Sequence, residues 1–232
     1  MKRFICGLIL LVSLRLPAAE PWQTALGQML LATNVSELNQ ANCVRLMLRS
    51  FASNDVVKAL VFMPGATDEF YMFHRAKAVL SSSSPTLLDA VTALTNRTWI
   101  RATFYPPLLL LHTDEDPLEP VITVQHPRTA EKFQQTRFLP YVNYFDRDWD
   151  SLQPILKKQL KSDIRPWRYS QDGWHFYRHS FAAWGLTDWE ALEAITLAGK
   201  SKCTIQHNRL IFEVDPRIRA APKSVPRQTL KP

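Results

Sequence analysis

Between Phe70 and Val214 the chain carries one apolar pattern twice, which constrains the fold more than any single residue does. A shift of 104 residues lays Phe70-Tyr-Met-Phe-His-Arg over Trp174-His-Phe-Tyr-Arg-His. The same shift lays Leu87-Leu-Asp-Ala-Val-Thr-Ala-Leu over Ala191-Leu-Glu-Ala-Ile-Thr-Leu-Ala without a gap. Two amphipathic helices match by chance at some offset, because each needs an apolar residue every three or four positions. Here the ungapped match also spans the aromatic segment before the helix, which favours duplication. Polar positions are not kept: His74 faces Arg178, Arg75 faces His179, and Asp89 with Glu193 is the retained acidic pair. The repeat is therefore an apolar skeleton, a statement about fold.

Read in order, Met29-Leu-Leu-Ala is expected as a first strand and Ser36–Ser53 as a helix with Val44, Met47, Leu48 and Phe51 on one face. Lys58–Pro64 and Glu69–Ala76 read as a hairpin around Gly65-Ala-Thr-Asp. Ser84 as N-cap with Pro85 at the first helical position opens a helix burying Leu87, Ala90, Val91 and Leu94. Ile100–Phe104 and Leu108–Thr113 follow as strands. Asp114–Thr136 breaks the pattern with three prolines, although Val121-Ile-Thr-Val has the composition of an edge strand. The second half repeats the scheme. A strand lies in Phe138–Phe145, and a helix carries Leu152, Ile155, Leu156 and Leu160. A hairpin follows from Ile164–Tyr169 and Trp174–Phe181, then a helix opened by the capping box Thr187-Asp-Trp-Glu, then a hairpin from Cys203–His207 and Leu210–Val214.

The expected fold is thus α+β. It has two related small modules, each with two helices packed on short mixed or antiparallel sheets in the order helix, hairpin, helix, hairpin. Residues 1–19 read as a signal peptide, 20–114 as the first module, 115–136 as a linker, 137–216 as the second module, and 217–232 as a basic, proline-rich disordered tail.

The signal-peptide reading rests on a positive Met1-Lys-Arg start, an apolar Phe4–Leu14 run and small residues near Ala18 and Ala19. The apolar run is too short for a stable span, so no transmembrane segment is expected after cleavage, and the product is exported to a periplasmic or extracellular space. Cleavage leaves 25 cations against 21 acids, and five of those cations lie beyond Asp215. The folded body is close to neutral, which removes most of the case for nucleic acid as a partner. Only six glycines occur, none clustered. A phosphate-cradling loop is therefore not expected, and no cofactor is assigned. Cys43 and Cys203 remain after cleavage, so an oxidising compartment would allow a disulfide between them. Two separate buried thiols are the alternative.

Candidate chemistry is sparse. His175 and His179 are four residues apart, but on a strand their rings stand roughly 13 Å apart at about 3.3 Å per residue, too far for one metal. They read as half-exposed strand residues, and no metal is assigned. His112-Thr-Asp-Glu-Asp gathers His112, Asp114, Glu115 and Asp116 at a strand end, suited to a general acid and base or a hard cation; a solvated turn is the plainer reading. The aromatics Phe70, Tyr71, Phe73, Trp174, Phe176 and Tyr177 suit a stacking platform, although strand aromatics more often fill cores.

Thr86-Leu-Leu-Asp-Ala-Val-Thr-Ala-Leu-Thr-Asn-Arg-Thr, followed by two strands ending Leu-Leu-Leu-Leu-His, resembles the short amino-terminal domain of secretins and TonB-dependent proteins. That family's signal is a helix of the type Leu-x-x-Ala-Leu-x-x-Leu-x-x-x-Thr-Gly before a β-hairpin. Trp189–Val214 resembles it more faintly, and Thr98-Trp99 stands where the family has Thr-Gly. The resemblance implies a small α/β module in the cell envelope that docks other proteins and has no catalytic residues. The leading expectation is therefore an exported, non-enzymatic envelope protein that binds a protein partner. The alternatives are a secreted hydrolase using His112 to Asp116 and a carrier of a small apolar ligand.

Overall fold

The structure is a computed structural model. It describes residues 19–31, 37–38, 43–52, 54–63, 78–80, 82–113, 119–136, 141–147, 149–165, 179–207 and 209–215. The elements in the first half are α1 (Pro21–Gly27), β1 (Glu37–Leu38), α2 (Cys43–Ser50), β2 (Ala59–Met63), β3 (Ala78–Val79), α3 (Leu87–Arg97), β4 (Arg101–Tyr105) and β5 (Leu108–His112). Then come β6 (Val121–Val124), α4 (Pro127–Gln135), β7 (Tyr141–Arg147), α5 (Trp149–Leu160) and β8 (Asp163–Arg165). The chain closes with β9 (His179–Trp184), α6 (Asp188–Ala198), β10 (Ser201–Gln206) and β11 (Arg209–Val214). The fold is α+β, as the sequence pattern implies.

A five-stranded mixed sheet runs β4-β5-β2-β9-β7, and a four-stranded one runs β6-β10-β11-β8. The small ladder β1-β3 stands apart. β2 and β5 are buried along their whole length, because both faces of the larger sheet are covered. Leu60, Phe62, Leu109 and Leu111 face one core with residues of α1, α2 and α3. Ala59, Val61, Leu108 and Leu110 face the other, with α5, α6 and the inner side of the smaller sheet. Each such leucine contributes about 1.5–3 kcal/mol. α6 lies between the two sheets, which is why every position of Ala191–Ala198 other than Glu193 is buried.

The smaller sheet alternates cleanly. Cys203, Ile205, Leu210 and Phe212 point inward, while Lys202, Gln206, Arg209 and Glu213 are less buried. On its outer face Lys202 pairs with Glu213 at 3.0 Å, and at its β8 edge Lys157 of α5 reaches Asp163 at 2.9 Å.

One pairing scheme recurs in both halves. β4 and β5 form a hairpin with β2 parallel beside β5, and β10 and β11 form a hairpin with β8 parallel beside β11. β1 pairs antiparallel with β3, as β7 does with β9. α1 packs on α3, and α4 on α6. Adding 101 to each residue number converts the register Ala102↔Leu111 into Cys203↔Phe212 and Arg101↔His112 into Lys202↔Glu213. The 104-residue offset holds at β2 and β8, where Ala59 beside Leu108 matches Asp163 beside Arg209. The span from β8 to α6 is therefore three residues shorter than the span from β2 to α3.

Several expectations are corrected. The N-cap of α3 is Thr86: its Oγ1 accepts from the Asp89 N–H at 3.2 Å, and the Asp89 carboxylate accepts from the Thr86 N–H at 2.8 Å. Ser84 is exposed and precedes it. Thr187 and Glu190 make the same reciprocal box on α6 at 3.1 and 2.7 Å. Residues 21–27 are a helix opened by Pro21, and Leu30 makes only an isolated bridge to Thr86 in place of the expected strand. Ser36–Ser53 divides into β1 and the shorter α2.

Residues 115–136, expected as a linker, contain β6 and α4, because Ile122 and Val124 find apolar cover beside β10. Of the hairpin expected from Ile164–Tyr169 and Trp174–Phe181, residues 166–178 lie outside the described residues; of its ends, β8 pairs with β11, and β9 crosses to the larger sheet between β2 and β7. Glu69–Ala76, the segments 1–18 and 216–232, and the aromatic run around Trp174 lie outside the described residues.

Candidate functional site

The larger sheet gathers its buried polar side chains at one end. There β2 finishes at Met63 and β5 at His112, its register partner. The antiparallel pairing Phe62↔Ser180 carries His179 to the position beside Met63. The two histidines thus flank Met63 on the face that carries Val61, Leu110 and Phe181, under the C-terminal end of α6. Two strand spacings of about 4.8 Å put their Cα atoms about 10 Å apart. Both are 1% exposed.

Each imidazole has its own seat. His112 Nε2 lies 2.9 Å from Thr103 Oγ1 across the β4–β5 hairpin. The His179 ring lies 5.8 Å from the Trp149 ring, which in turn packs 4.9 Å from Phe212. Gly199, which ends α6, gives His179 its space: a β-carbon there would collide with Nε2 and come within 3.1 Å of Cε1. The turn continues through buried Lys200 (φ +46°) and Ser201, and the Asp215 N–H donates to the Lys200 carbonyl at 3.2 Å. His112, His179, Ser180, Lys200 and Asp215 all interact with neighbours. Ser180, the register partner of Phe62, lies on the opposite face of the sheet, so the polar side chains facing the end of α6 are those of His112 and His179.

The opposite end of α6 holds a second buried polar group. Asp188, at the first helical position, is 5% exposed, and its N–H donates to the Thr136 carbonyl at 2.9 Å. Burial pushes its carboxyl up to about 6 against the pull of Lys132 and Lys161. Glu193 is also raised by burial, partly offset by the Trp189 indole N–H donating to it at 2.9 Å. Nearby, Lys58 reaches Glu190 at 3.4 Å.

Of the site His112, Asp114, Glu115 and Asp116, the structure places His112 in the interior; the three acids lie outside the described residues. His179 was expected to be half-exposed. It is buried because β9 is an inner strand, flanked by β2 and β7 and covered by α6. His175 lies outside the described residues. Cys203 is a free thiol at 0% exposure, and burial holds its pKa far above the ordinary thiol range. The disulfide that the sequence allowed is not formed: Cys203 is free in the core between the sheets, whereas α2, which carries Cys43, packs on the opposite face of the larger sheet.

Among the described residues no three His, Cys, Asp or Glu side chains gather in a metal-holding group. The described aromatics interlock in the core, with Tyr144 at 5.0 Å from Phe181. Sequence reasoning overlooked Gly199 and Asp188. The signals were present: a rare glycine after an apolar helix, and an acid followed at once by Trp189 in a capping box. No described helix is long and apolar enough to cross a membrane. Comparison with family models, curated proteins and solved structures yields no match to this chain.

Proposed function

We propose that this chain is an exported, non-enzymatic protein of the cell envelope, built as a duplication of one α/β unit, that acts by binding a protein partner. The observation that carries the reading is the recurrence of the helix-and-hairpin unit α3-β4-β5 as α6-β10-β11, with hairpin registers related by a constant 101 residues. This is the element order that the resemblance to secretin and TonB amino-terminal domains implies, and such modules dock other proteins. The two halves also join by strand addition, β9 onto β2, a mode of contact that serves equally between molecules. The burial of His112 and His179 supports a structural role for both imidazoles.

The test is cell fractionation with intact-mass analysis and in-cell crosslinking. A mature chain beginning near Ala19 or Glu20, crosslinked to a discrete envelope protein, supports the proposal. A chain that keeps Met1 in the cytosol, or that crosslinks to no protein, removes it.

A further inference from the structure

The internal equivalence exposes one edge. In the second half, β6 lies parallel on the outer side of β10, in the register Cys203↔Ile122 and Ile205↔Val124. Under this cover Cys203 and Ile205 are 0% and 1% exposed. The 101-residue offset makes Ala102 and Phe104 of β4 their counterparts. Among the described residues β4 ends the larger sheet, with β5 on its inner side and no strand in the place of β6. Ala102 and Phe104 are accordingly only partly buried, although both pack on the core beneath α3.

The other edges carry features that resist strand addition. β7 has a register break between Tyr144 and Arg147. β8 is three residues long with Asp163 and Arg165 exposed, and the Gln153 Nε2 already donates to its Ile164 carbonyl at 2.8 Å. β6 is four residues long and bracketed by Pro120 and Pro127. β4 opens on the exposed Arg101 and is closed by Pro106, but between them Ala102–Tyr105 carry no charge, proline or bulge.

We propose that the outer side of β4 is the partner-docking edge, taking an extended segment of another protein as a parallel strand with β-branched apolar residues at alternate positions beside Ala102 and Phe104. The inference deepens the protein-binding reading and rests on it. Backbone hydrogen bonds to β4 supply the affinity, and the alternate apolar residues continue the core under α3, as Ile122 and Val124 do beneath α6. A second copy of this chain is the competing occupant.

The probe is a synthetic peptide of residues 119–126, Glu-Pro-Val-Ile-Thr-Val-Gln-His, added to the mature full-length chain. Binding is followed by fluorescence anisotropy and by amide hydrogen exchange. The expected result is saturable binding that slows alternate amides within residues 101–105. Two N-methylated peptides, one blocked at Val121 and Thr123 and one at Ile122 and Val124, should differ by about tenfold in affinity, since only one row of donors meets β4. Phe104→Asp should weaken binding while leaving the circular dichroism spectrum unchanged. Should that variant misfold, the N-methylated pair still decides. No binding at about 1 mM (about −4 kcal/mol), protection elsewhere, equal affinity of the two blocked peptides, or a concentration-dependent dimer with β4 amides already protected each overturns the inference.

Photo-crosslinking from Thr103 in cells separates the two levels. A protein captured only from other positions removes the β4 edge and leaves partner binding standing. No capture from any position removes partner binding, while the peptide result still judges the edge.

Discussion

Substituting Gly199 by alanine tests the packing at the centre of the molecule. The backbone there has φ −95° and ψ 3°, which alanine adopts readily. A Gly→Ala change at a compatible position ordinarily stabilises by about 0.4–1 kcal/mol through the unfolded chain. At Gly199 the added carbon collides with His179 Nε2 and crowds Cδ2 at 3.2 Å. That ring is 1% exposed and backed by Trp149, so it has little room to turn away. Overpacking of this kind costs about 1–3 kcal/mol, leaving a net loss of about 1–2 kcal/mol, or a Tm about 2–8 °C lower for a chain of this size. Urea unfolding read by tryptophan fluorescence gives the number. The double variant with His179→Ala should be less destabilised than the two single losses added together, because the clash is gone. Gly27→Ala is the control: its new carbon would meet Leu88 Cδ2 at 3.8 Å, an ordinary contact, so it should be neutral or stabilising. A Gly199→Ala protein as stable as the parent would refute the seating of His179 on the end of α6.

Three further outcomes are expected. The folded state holds the Asp188 proton up to about pH 6 and the unfolded state only to about 3.8, so stability should fall as pH rises through that window. Asp188→Asn should flatten the profile and gain about 1–2 kcal/mol at pH 7 after allowance for screening by solvent and the two lysines; an unchanged slope in urea titrations would count against the burial of this carboxyl. Thr86→Ala and Thr187→Ala each remove an N-cap and should cost about 1 kcal/mol in thermal unfolding, whereas Ser84→Ala should cost nothing measurable. Cys203 should resist thiol reagents in the native protein and react in urea, as located by peptide mass spectrometry; native labelling at Cys203 would contradict its place in the core.

Features set by neighbours in sequence were legible. The Thr187–Glu190 box and the face of Ala191, Ala194, Ile195 and Ala198 need only helical spacing, and all four residues are buried. The hairpins β4–β5 and β10–β11 need only two apolar runs and a two-residue turn. Legibility failed where partners are distant. Ser81 to Ser84 with Pro85 imitates a helix start, yet the reciprocal Thr86–Asp89 bonds decide the cap. The 104-residue match of the two helices is an effect of helical periodicity: the caps Thr86 and Thr187 stand 101 residues apart, which lays buried Ala90, Val91 and Leu94 over buried Ala191, Leu192 and Ile195. β8 and β9 carry ordinary strand patterns that do not say which sheet each joins. His179 lies at the surface or in the core according to the strands beside it, and those come from residues 59–63 and 141–147. The uncovered side of β4 was invisible for the same reason, since its meaning depends on β6 covering β10.

The crossing of β9 into the first half's sheet ties all of this together, and cross-strand NOEs measure it directly. In uniformly labelled protein, Leu60 and Val61 should show NOEs to Ala182 and Phe181, their register partners. Antiparallel NOEs from β2 to Glu69–Ala76 in their place would mean a local hairpin and contradict the shared sheet.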